Sequence, residues 1–159
     1  RDWPAMKHRG IMLAVIISGG VVATFPEAAF AGQYMGRWQR VMTAEGEEPD
    51  PRDNAGCAAF LRSDAFDPAM HSDANLTITP RRMETNEEGS DVTGDVAFSP
   101  TSAGRTPFSI RAEHEYSVVD REGFIQQHDS DYISITIHDV QIDDRGTIGD
   151  EVMRYCRER

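Results

Sequence analysis

Lysine is almost missing from this chain: Lys7 is the only one among 159 residues. The other cationic side chains are arginines and histidines, and the formal net charge is −11. Nucleic-acid binding depends on clustered Lys and Arg facing phosphates. The pairs Arg81–Arg82 and Arg157/Arg159 are too sparse to form such a stripe. An acidic surface is also repelled by anionic membranes and favours solubility and cationic partners.

Cysteine is nearly as scarce, with Cys57 and Cys156 alone and no Cys-x-x-Cys, which removes thiolate zinc sites and dithiol redox chemistry. G-x-S-x-G, a phosphate-binding glycine loop and H-E-x-x-H are all absent, so the usual signals for nucleophilic, nucleotide and zinc-protease chemistry are missing. No cofactor and no metal is expected. The acidic groups Asp50/Asp53/Asn54, Asp129/Asp131 and Asp143/Asp144 lack the spacing of an EF-hand loop; turn-forming Asp accounts for each.

A membrane-spanning run is missing too. The longest apolar stretch, Ile11 to Phe25, is broken by Gly19-Gly20 and ends at Pro26-Glu27, whereas a span needs about 20 apolar residues. Lys7-His8-Arg9 precedes it and Ala29-Phe30-Ala31 follows it. A positive start, a short apolar core and a small-x-small exit are the parts of a secretory signal peptide. Residues 1–31 are therefore expected to be a cleavable signal, with residues 1–5 lying upstream of a start at Met6. The remaining chain would carry −12 and reside in a periplasmic or secreted location, and the arginine bias suggests a bacterial source. In an oxidising compartment Cys57 and Cys156 are expected to pair.

What is present beyond residue 31 is mostly strand pattern. Residues 32–56 read as an N-terminal strand (Arg37 to Met42) and an acidic, Pro-broken loop, and residues 57–159 as a β-rich domain. Asp53 or Asn54 can cap a short helix carrying Cys57, Phe60, Leu61 and Ala65 on one face. Period-two alternation then marks Leu76/Ile78, Val92 to Phe98, Phe108 to Val118, Phe124 to His128, Ile133 to Ile142 and a last strand from about Thr147 to Arg157. Asp120-Arg121-Glu122-Gly123 and Asp143-Asp144-Arg145-Gly146 read as hairpin turns, and a parity switch near His138-Asp139 as a β-bulge. The expected fold is a small antiparallel β-barrel or strongly curved sheet of six to seven strands with one short helix and one disulfide.

A turn at Gly123 places Val119 opposite Phe124. It then places His114 opposite Asp129, with Tyr116 near both, and Glu115 opposite His128. A carboxylate orienting a part-buried imidazole is what general-base and metal sites use, so His114, Tyr116 and Asp129 are a candidate site. A one-residue bulge would remove this register.

Tyr34-Met35-Gly36-Arg37-Trp38 resembles the G-x-W signature on the first strand of lipocalins. That resemblance implies a barrel holding a small apolar ligand, with Gly36 and Trp38 closing one end. Small exported barrels that inhibit lysozymes or proteases are similar in size, charge and disulfide content. Three functions are thus open: a non-enzymatic binding or inhibitor-like module, a lipocalin-like carrier, and a hydrolase or metal-dependent enzyme using His114 and Asp129.

Overall fold

In the computed structural model, residues 32–43, 46–63, 74–87 and 89–159 are described. The expected signal segment, residues 1–31, lies outside the described residues, as does the end of the expected helix face at Ala65.

A single 3-10 turn (Gly32–Tyr34) leads into eight antiparallel strands: β1 (Gly36–Arg40), β2 (Asn75–Ile78), β3 (Arg82–Thr85), β4 (Gly94–Phe98), β5 (Arg105–His114), β6 (Ser117–Asp129), β7 (Tyr132–Gln141) and β8 (Ile148–Arg157). Each strand pairs with the next, and β8 returns to β1, so the sheet closes into a barrel. Closure leaves no unpaired sheet edge. The strand count exceeds the expected six to seven because β3, with the single inward apolar residue Met83, is too short to show a period of its own.

Alternation sets the two faces. On β5, Thr106, Phe108, Ile110 and Ala112 are buried while the residues between them are exposed. Ile125 on β6, Ile133, Ile135 and Ile137 on β7, and Met153 and Tyr155 on β8 join them in one inward cluster with Trp38, Leu76, Ile78 and Met83. Tyr34, Trp38, Tyr155 and Ile110 are each exposed by 2% or less, so inward positions are filled by large side chains. An eight-stranded barrel has an interior just wide enough for that.

Helix α1 (Asn54–Arg62) lies outside the barrel. Asp53 caps it, its carboxylate accepting the Gly56 amide at 2.7 Å. Cys57, Phe60 and the half-buried Leu61 pack with Val41, Tyr132 and Cys156 in a second small core. The Cys57–Cys156 disulfide ties α1 to β8 across 99 residues of sequence.

Two turn expectations separate here. Asp143 Oδ1 does accept the Arg145 and Thr147 amides, and Gly146 has φ +81°, as a tight β7–β8 turn requires. The bulge is also present, as a register shift between Ile137 and Val140 with Asp139 at φ +58°. Asp120 to Gly123 is not a turn. β5 stops at His114, short of the expected end at Val118; His114 pairs with Ser117, Val118 belongs to β6, and Gly123 lies within β6 opposite Phe108. Gly123 is there for close approach: a Cβ would stand 2.0 Å from the Thr136 carbonyl oxygen and 3.1 Å from Phe108 Cζ.

Candidate functional site

That register moves the expected site. His114 stands beside the β5–β6 turn, whereas Asp129 ends β6 at its other end, thirteen residues of strand away. At ~3.3 Å per residue this is roughly 40 Å along the strand. His114 and Asp129 do not meet. Tyr116 sits in the turn itself and is 91% exposed. Glu115 is likewise in the turn, away from His128.

His114 nevertheless has a carboxylate partner. Its Nε2 lies 2.6 Å from Asp91 Oδ1, on the segment before β4, and the Asp91 side chain is only 8% exposed. The pair belongs to a polar ring at one mouth of the barrel. Arg40 Nη1 contacts the Glu87 carboxylate at 2.5 Å, and Glu151, paired with Ile137, shares the inward face. Burial pushes the Glu151 carboxyl up; Arg40 opposes this, while Asp91 and Glu87 add to it. These groups cap the apolar core, with His114 against Asp91 and Arg40 against Glu87.

Asp129 has a different task. Its carboxylate accepts the Asn54 amide at 3.0 Å and the Ser130 amide at 2.8 Å, and those two bonds, the Asn54 one first, hold its proton affinity down. Asn54 returns the contact, its Oδ1 accepting the Asp131 amide at 2.7 Å. The β6–β7 turn thereby anchors the start of α1.

The other acidic groups are similarly occupied. Asp50 pairs with Arg154 at 2.5 Å and with Arg52 at 2.9 Å, and Asp131 pairs with Arg157 and Arg159.

Gly36 and Trp38 lie on β1, where Trp38 pairs with Leu76 and Arg157. Trp38 is fully buried; its Nε1 donates to the Tyr34 carbonyl at 2.8 Å, and the Tyr34 hydroxyl meets Thr106 Oγ1 at 2.9 Å. The Arg157 guanidinium covers the indole from outside, 4.1 Å from the ring centroid. Gly36, at φ +124°, lets the chain turn from the 3-10 segment into β1.

Cross-strand contacts that periodicity cannot reveal lie on the outer face. His128 Nε2 is 2.8 Å from Ser134 Oγ, with the imidazole stacked on Tyr132 at 5.0 Å. Burial pushes the His128 imidazole down. His138 Nδ1 is 2.9 Å from Asp150 Oδ1, and its ring lies 5.8 Å from Phe124. These are two separate dyads: among the described residues, no carboxylate contacts the His128 imidazole and no nucleophile contacts His138. A triad needs both on one imidazole.

Among the described residues, concavities of about 710, 450 and 530 Å³ adjoin one another on the outer face. The first and second share Ser109, Glu122 and His138; the second and third share Arg105 and Phe124. They form one trough over β4 to β8. Compared with known proteins, the chain matches no family model, no curated protein and no solved structure.

Proposed function

We propose that this chain is an exported, non-enzymatic binding domain that engages a protein partner, preferentially a cationic one, through the outside of its barrel. The observation that carries this reading is the division between the two faces. Inward positions are occupied by large, buried apolar side chains, whereas adjoining concavities and exposed carboxylates such as Asp95 and Asp120 lie outside. The disulfide fits an oxidising compartment. The net charge of −11 favours encounter with cationic surfaces. Carriage of an apolar ligand rests on Gly36 and Trp38, but a ligand would have to displace Trp38, Tyr34 or Ile135 from a packed interior.

Crosslinking in a periplasmic extract, at low and high salt, tests the reading. Expected is a specific, salt-sensitive protein partner crosslinked to outward residues of the barrel. No specific partner at either salt, or a small apolar molecule retained by the purified protein, would overturn it.

A further inference from the structure

We propose that the trough is a peptide groove that takes an extended segment of a partner protein presenting a cationic, then an apolar, then an anionic side chain. This rests on the reading of the chain as a protein-binding domain and adds the chemistry of the bound segment.

The charge order along the strands carries it. At one end Asp95 and Asp120 stand on either side of Arg111 in register, with Glu122 and Asp139 beside them. The Asp95 and Asp120 side chains are 80% and 84% exposed. Arg82 also meets Asp95 at 3.2 Å but is itself shared with Glu84 and Glu113. The Arg121 guanidinium is directed to the Asp139 carbonyl. Arg111 Nε lies 3.8 Å from Asp120 Oδ1, yet four carboxylates line this end against the two arginines Arg111 and Arg121, so a partner cation would find incompletely neutralised acceptors.

In the middle the trough is lined by Pro107, Phe124 and His138. At the far end the Arg105 guanidinium lies over the Phe124 ring at 4.7 Å, and among the described residues no carboxylate pairs with it. Its neighbours Arg52 and Arg154 are already engaged by Asp50. Arg105 is thus the cation open to a partner carboxylate, held at a fixed place by the ring beneath it.

Length agrees with the occupant. From Arg111 to Arg105 along β5 is about 20 Å, which an extended segment of about six residues spans. A compact ligand cannot touch both ends. A phosphate polymer is repelled by the acidic one.

Panning a random heptapeptide display library on the disulfide-intact protein tests the groove. Asp120→Lys, Glu122→Lys and Arg105→Glu alter exposed side chains and serve as counter-targets after their fold is checked by circular dichroism. Expected is a consensus with a basic, an apolar and an acidic position in that order. Affinity for Asp120→Lys and Glu122→Lys should fall about tenfold or more. Arg105→Glu should change the preferred acidic position to Lys or Arg. No enrichment, or enriched peptides that bind all three variants as they bind the parent, would overturn the groove. Peptides indifferent to the variants would leave the protein-binding reading standing on another surface.

Discussion

The Arg157 guanidinium lies over the Trp38 ring, 4.1 Å from its centroid, while the indole itself is fully buried. Arg157 also donates to the Met35 carbonyl at 2.9 Å and the Gln33 carbonyl at 2.6 Å. One side chain from the last strand thus holds the segment leading into the first strand across the barrel end. Arg157→Ala is expected to cost about 2–3 kcal/mol, since it removes a shielded cation–π contact and charge-assisted hydrogen bonds together. Arg157→Lys should fall between, keeping charge but losing the planar fork. Urea unfolding followed by Trp fluorescence measures both.

Gly123→Ala is expected to destabilise the barrel by about 3 kcal/mol or more, because the new methyl would overlap the Thr136 carbonyl oxygen of β7. Gly32→Ala is the control: nothing lies within 4 Å of its Cβ position. Its effect should stay within about 0.5 kcal/mol. Thermal melts of the two variants make the comparison.

Gly123 also shows where sequence reasoning stops. Asp-Arg-Glu-Gly has the composition of a turn, but composition does not say whether a glycine is needed for a positive φ or for a neighbour's close approach. Only the register resolves that. Moving the turn from Gly123 to Glu115–Tyr116 separated His114 from Asp129, and left His114 with Asp91, a partner on no adjacent run of the pattern. The features set by local chemistry were legible: the Asp53 cap, the Asp143–Gly146 turn, the bulge at Asp139 and the alternating strands. Strand β3 was not, having four residues and one inward apolar side chain. The outer trough was not legible either, because Arg105, Glu122 and His138 come from three strands whose registers must be known first.

Removing the cross-link by Cys57→Ala with Cys156→Ala is expected to cost about 4 kcal/mol, from the entropy of freeing a 99-residue separation in the unfolded chain. The helix should feel it most, since α1 meets the barrel largely through that small second core. In reductant the urea midpoint of the parent should fall to that of the double variant, whose own midpoint reductant leaves unchanged.

Asp50 governs an acid limb. The Arg154 hydrogen bond, with help from the Gly46 amide, lowers its carboxyl to about 2. A carboxyl depressed on folding stabilises above its unfolded value near 3.9 and loses that contribution as pH falls toward 2. Asp50→Asn should therefore be less stable than the parent at pH 7, with the gap closing between about pH 4 and pH 2. Melting temperatures measured across that range test the sign; a gap that persists or widens on acidification would refute it.

The packed interior makes the barrel core scaffold, and the proposed binding surface is its outside. A titration of isotopically labelled protein with palmitate, followed by amide and indole NMR, tests that division most directly. The Trp38 indole signal and the amides of Ile125, Ile133 and Ile135 should stay unchanged up to millimolar palmitate. Saturable shifts at those positions would mean that the core opens to a ligand, and would contradict it.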